Sequence, residues 1–105
     1  MGDGGDVTEA EILGALRRVR DPELGVNIVD LGLIYGIRVR GGEVDVTMTL
    51  TTRGCPLHEV LLQAAERVLE GLEGVTRGRV HLVWDPAWRP DMMSEAARDQ
   101  LAQMG

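Results

Sequence analysis

Lysine is missing from this chain, and serine occurs only once, at Ser94. All eleven basic residues are arginines. That excludes Schiff-base chemistry on a lysine and a phosphate-binding loop ending in Gly-Lys. The lone serine lies in no Gly-x-Ser-x-Gly elbow, and no Gly-x-Gly-x-x-Gly stands after a strand. Serine hydrolysis and dinucleotide binding therefore lack sequence support. The single cysteine, Cys55, rules out an internal disulfide and suits a reducing, cytoplasmic compartment. No apolar run approaches ~18 residues, and no charged-then-apolar signal peptide opens the chain. Seventeen carboxylates bring the formal charge to −6, which opposes the basic stripe of a nucleic-acid-binding domain. Neither nucleic acid nor a membrane is expected as a partner.

What is present suits one globular domain: 105 residues, 44% apolar and 27% charged. Residues 1–7, rich in Gly and Asp, read as a disordered leader and residues 8–105 as the domain. Thr8-Glu9-Ala10-Glu11 is a capping box, hydroxyl and carboxylate each satisfying an orphan N–H. Ile12, Leu13, Leu16 and Val19 then recur at helical spacing to about Arg20, where Asp21-Pro22 stops the helix. Leu33, Tyr35, Ile37 and Val39 alternate with Ile34, Gly36, Arg38 and Arg40 as a half-buried strand. Gly41-Gly42 reads as a hairpin turn, since both positions tolerate positive φ. The return strand points Val44, Val46, Met48 and Leu50 inward and Asp45, Thr47 and Thr49 outward.

A second helix is expected from Pro56 to about Glu73, with an apolar stripe from Leu57 to Leu72 opposite Glu59, Glu66 and Glu70. Gly74 would end it. Val80, Leu82 and Trp84 alternate with His81 and Val83 as a third strand, broken by Asp85-Pro86. Ser94 would cap a last helix whose inner face holds Met93, Ala97, Leu101 and Met104. The order α-β-β-α-β-α predicts a two-layer α+β domain, with helices packed on one face of a small mixed sheet. The other face would carry Arg38, Asp45, Thr47, Thr49 and His81, open to water or to a partner.

Thr51-Thr52-Arg53-Gly54-Cys55-Pro56 stands where the second strand hands over to the second helix. Pro56 suits the first helical position, and Gly54 supplies the backbone freedom of a tight turn. Cys55 falls at or beside the N-cap, where orphan N–H groups and the helix dipole favour negative charge. Arg53 and His58 add to that field, and such a thiol tends toward thiolate, the form that attacks electrophiles and binds metals. The alternative reading is a small buried hydrophobe, and position alone does not choose between them. A thiol hydrolase would need His58 or His81 as base, and no local signature marks either. A structural zinc site would need more than one cysteine and two histidines. Asp21 and Glu23 read as an acid–base pair or, more simply, as a polar turn after the first helix, and Asp30 as a turn residue. Trp84 reads as core, Trp88 as cover on its flank, and Met92-Met93 as a soft apolar pair.

Five stretches in this order resemble one family: Asp21-Pro22-Glu23; Asn27-Ile28-Val29-Asp30-Leu31-Gly32-Leu33-Ile34-Tyr35; Thr49 to Pro56; Val83-Trp84-Asp85-Pro86-Ala87-Trp88; and Met92-Met93-Ser94-Glu95. The family is the SufT/PaaD family of metal–sulfur (iron–sulfur) cluster assembly proteins, and the resemblance runs from about Glu9 to Leu101. It implies an iron–sulfur cluster assembly-type domain that helps build or deliver clusters without being an enzyme. Cys55 falls on the family's motif cysteine, and Asp21, Glu23, Thr52 and Gly54 on motif positions around it. Cys55 would transiently hold iron, a cluster edge or a partner's thiol, with Asp21 or Glu23 as auxiliary oxygen ligands. One chain cannot supply four thiolates, so any cluster would be shared with a second copy or a partner rather than tightly bound. Assembly scaffolds and client apoproteins are the implied partners, and a homodimer is one way to share the cluster. The alternative implied is an accessory component of a phenylacetate-type multicomponent ring oxygenase, docked through the open sheet face and the Trp88/Met92 loop. A thiol enzyme is a third reading. The electrostatic part has a direct check: the rate of Cys55 alkylation against pH should show a midpoint below about 8.5, the ordinary thiol value.

Overall fold

The computed structural model describes residues 7–22, 24–51 and 58–104. Its elements are α1 (Glu9–Leu16), β1 (Ile34–Arg40), β2 (Glu43–Met48), α2 (His58–Glu70), β3 (Arg77–Leu82), a 3-10 turn at Pro90–Met92, and α3 (Glu95–Met104). The capping box forms as the sequence implies: the Glu11 amide donates to Thr8 Oγ1 at 3.1 Å, and the Thr8 amide to Glu11 Oε1 at 2.9 Å. Such a cap contributes about 1 kcal/mol. Val7, assigned to the leader by composition, is instead buried with Ile12 in the core, in the placement of a hydrophobic staple. α1 ends at Leu16, a turn earlier than its apolar spacing suggested. Val19 is still buried, but its amide donates to Leu16 and its carbonyl accepts from Ile28, so tertiary pairing replaces the last helical turn.

The sheet has the order β1-β2-β3, with β1–β2 antiparallel and β2–β3 parallel. Ile37 pairs with Val46 and Val39 with Val44, and Val80 and Gly78 lie beside the same two valines from β3. Those rows face the helices. α2 packs so closely there that a Cβ on Gly78 would come within 2.8 Å of the Leu69 side chain. The core gathers Ile12, Leu16, Ile28, Leu31, Leu33, Met48 and Leu69 beneath the sheet.

Several local expectations are corrected. In the hairpin only Gly41 takes positive φ, at 60°. Gly42 is required instead by close approach, since a Cβ there would meet Thr76 Oγ1 at 2.8 Å. The register of β1 slips between Ile34 and Gly36, a bulge that takes Tyr35 out of the simple alternation. Thr49, expected on the open face, is fully buried: past the end of β2 its amide donates to Leu33, so Met48, Thr49 and Leu50 are all inside. α2 stops at Glu70 rather than Glu73, and Gly74, at φ 93°, closes the turn that follows. β3 begins at Arg77 and ends at Leu82, so it starts earlier than its apolar residues suggested and leaves Trp84 beyond it. Ser94 does cap α3, accepting the Ala97 amide at 3.1 Å, and Ala97 is buried. Pro56, Leu57 and the side chain of Met104 lie outside the described residues.

The parallel pair fixes the site's location. β2 and β3 both end, and β1 begins, at one end of the sheet. The chain entering β1 and the chains leaving β2 and β3 therefore meet there. The segment after β3 crosses that end. Trp88 Nε1 donates to the Leu31 carbonyl at 2.6 Å, Tyr35 donates to the Pro86 carbonyl at 2.8 Å, and the Ser94 amide donates to Asp30 at 2.7 Å. Gly32, at φ 83°, lies against Met92, whose carbonyl oxygen a Cβ would overlap. Gly32→Ala should therefore cost roughly 2–4 kcal/mol, combining left-handed strain with that overlap. Gly14→Ala, inside α1 with nothing within 4 Å of the new Cβ, should stabilise by about 0.5–1 kcal/mol. Denaturant midpoints of the two variants should move in opposite directions.

Candidate functional site

At the shared sheet end, short backbone pairings set segments side by side. Thr49 donates to Leu33, Leu33 to Ile28 and Ile28 to Val19, while Asp21 donates to Val26. This carries Asp21 into the protein, where the residue is 4% exposed and its carboxylate accepts the Leu24 amide at 3.1 Å. The turn reading of Asp21 is thus correct as to conformation, but it is a buried turn. Asn27 and Asp30 close the next turn: the Asp30 amide donates to Asn27 Oδ1 at 2.9 Å, and Asn27 Nδ2 to Asp30 Oδ2 at 2.8 Å. Asp30 is structural, as its position before the strand suggested.

Thr49 is the residue that sequence alternation missed. Its side chain is wholly buried where β2 leads toward residues 52–57, and its hydroxyl has no hydrogen-bond partner among the described residues. An unpaired buried hydroxyl costs about 1–3 kcal/mol. His58, half-buried at the start of α2, holds its Nδ1 in the same condition. Two buried polar atoms without a partner among the described residues thus bracket, in sequence, the stretch that contains the motif cysteine. Cys55, Thr52, Arg53, Gly54 and Glu23 lie outside the described residues. Among the described residues no three His, Cys, Asp or Glu side chains converge as metal ligands.

Beside α2 runs an apolar groove of about 270 Å3, walled by Val19, Leu61, Ala64 and Val68 and rimmed by Arg18 and Arg20. Val60, 60% exposed, stands on it. Trp88 and Met92, expected to present a docking loop, are instead engaged: Trp88 bonds Leu31, and Met92 packs on Gly32 with its sulfur 3.6 Å from the Tyr35 hydroxyl. Glu66 and Glu70 do more than face solvent. They accept the Val80 and Gly78 amides at 3.0 and 3.4 Å, covering the free edge of β3.

A second feature lies on the open sheet face, a shallow concavity of about 510 Å3 over Gly36, Arg38, Asp45, Thr47 and His81. His81 Nε2 lies 2.9 Å from Asp45 Oδ1. That hydrogen bond, with the charges of His81, Arg79 and Arg38, holds the Asp45 carboxyl below its ordinary value, against a smaller opposing effect of burial.

The fold and the ordered motifs define a small α+β domain of the cluster-assembly type. The chain belongs to the iron–sulfur cluster assembly protein family, whose model matches residues 9–82. It is 43% identical over 94 residues to the Fe-S protein maturation auxiliary factor YitW of Bacillus subtilis, covering 89% of this chain and 92% of that one. It is 35% identical to a component of the putative 1,2-phenylacetyl-CoA epoxidase of Escherichia coli, covering 90% of this chain but 58% of that component. The crystal structure of a domain of unknown function from Bacillus anthracis superposes with a TM-score of 0.85 at 35% identity, covering 90% of this chain and 91% of that one. Both arms of the sequence resemblance are thereby supported.

The Asp45–His81 pair yields a signed prediction. A depressed carboxyl contributes stability that is present above its unfolded value and is lost as pH falls through its folded value. His81→Ala should therefore raise the Asp45 titration midpoint toward the ordinary carboxylate range, read by carboxyl-carbon NMR, and reduce the part of the stability that is lost as pH falls.

Proposed function

We propose that this protein is a non-enzymatic factor in the maturation of iron–sulfur proteins, acting in the cytoplasm through the thiolate of Cys55. The observation that carries the reading is the match to a maturation factor along nearly the whole of both chains, with Cys55 inside the family-matched span. The cluster or its iron is cargo. Cys55 would take it, with Asp21 or Glu23 as oxygen ligands, and the remaining ligands would come from a second copy, an assembly scaffold or a client apoprotein. Thr52, Arg53, Gly54 and His58 would shape and polarise the turn. Thr49 Oγ1 and His58 Nδ1, buried and without a hydrogen-bond partner among the described residues, support this reading, because they lie on the segments that flank the turn in sequence. The ring-oxygenase reading is weaker, since this chain matches little more than half of the epoxidase component and the loop expected to dock is held down.

Anaerobic reconstitution with iron and sulfide, followed by absorbance and iron counting, tests the proposal. The protein should retain iron at no more than one cluster per two chains, and Cys55→Ala should reduce it to background. Iron retained equally by Cys55→Ala would overturn the thiolate role, and no iron in either would leave an adaptor that never holds cargo.

A further inference from the structure

The open sheet face carries a charge arrangement that the rest of the molecule does not share. Register sets Arg40, Glu43 and Arg77 in one row, Arg38, Asp45 and Arg79 in the next, and Gly36, Thr47 and His81 in a third. Each carboxylate of β2 therefore has an arginine on either side, and the arginines are in surplus. This face holds four of the eleven arginines and only two of the seventeen carboxylates. Elsewhere seven arginines stand against fifteen carboxylates. The four arginines and His81 are exposed, and no described segment covers them.

We propose that this face is a docking surface for an acidic patch on another protein, engaged transiently. Complementary charge speeds encounter and fixes orientation, and it excludes like-charged surfaces. Three strands at about 4.8 Å and six residues at about 3.3 Å give a face of about 14 by 20 Å. That is well short of the ~800 Å2 per partner of a stable interface, so a brief contact fits it. Discrete carboxylates of a folded partner can alternate with Glu43 and Asp45, whereas a continuous phosphate backbone would run across them. The rows of this face also hold no Phe, Tyr or Trp, the large aromatics with which sheet surfaces stack bases. A second copy fits poorly: this arginine-rich face does not complement itself across a two-fold axis, and the two molecules would each carry −6. The inference does not depend on the role of Cys55.

The test uses the whole isotope-labelled chain and poly-L-glutamate of ~20 residues as probe, at neutral pH and low salt, read by two-dimensional NMR. Amide shifts should concentrate at residues 36–40, 43–47 and 77–81, and affinity should fall at least about tenfold between ~20 and ~200 mM salt. Arg38→Glu combined with Arg79→Glu should weaken binding by about tenfold or more, while Arg67→Glu on α2 leaves it unchanged. Should that double variant misfold, Arg38→Gln with Arg79→Gln removes the charge without adding repulsion and should also weaken binding. Shifts located elsewhere, or unchanged binding by folded variants, would overturn the proposal. Tighter binding of duplex DNA than of poly-L-glutamate at equal ionic strength would reassign the face to nucleic acid. Self-association at low salt that the double variant abolishes would reassign it to a second copy.

Discussion

Parallel pairing of β2 with β3 is the constraint from which the remaining architecture follows. Two parallel neighbours cannot be joined by a tight turn, so the chain must travel back the length of the sheet between them, and α2 makes that journey. The crossover buries its apolar stripe on the sheet, and Gly78 makes room for Leu69. It also places Glu66 and Glu70 where their carboxylates satisfy amides on the outer edge of β3. With both strands running the same way, their exits coincide with the entry to β1. Three connections must then share one end of a small sheet.

That crowding explains why so many of the family's motif residues are structural. Leu31, Gly32, Tyr35, Trp88, Met92 and Ser94 belong to two distant stretches, and the structure joins them across the sheet end. A tryptophan N–H on a carbonyl, a tyrosine hydroxyl on another, and a glycine without room for a side chain hold the last segment down. On either side of the other connection, Thr49 Oγ1 and His58 Nδ1 are buried without partners among the described residues.

The two features attributed to function are separate. One is the sheet end from which the chain leaves β2 toward residues 52–57, and the other is the arginine-rich face. A factor that passes cargo on needs a contact that forms quickly and releases quickly. Charge complementarity over a small area supplies both, because it raises the encounter rate without burying enough surface to hold the complex.

Local chemistry was legible in the chain itself. The capping box, the hairpin, the inward run Val44, Val46, Met48, the Ser94 cap and the α+β order each rest on residues within a few positions of one another, where spacing alone decides. Family membership was legible too, because ordered motifs survive without coordinates. Ends of elements were not. α1 stops at Leu16 because Val19 finds a partner in Ile28, and Thr49 turns inward because Leu33 accepts its amide, both being choices made by segments distant in sequence. The arginine face was half visible: Arg77, Arg79 and His81 alternate in the sequence, but only pairing with β2 shows that they share a face with Arg38 and Arg40. Sequence sets what each segment can form, and tertiary pairing decides where each one stops and which charges become neighbours.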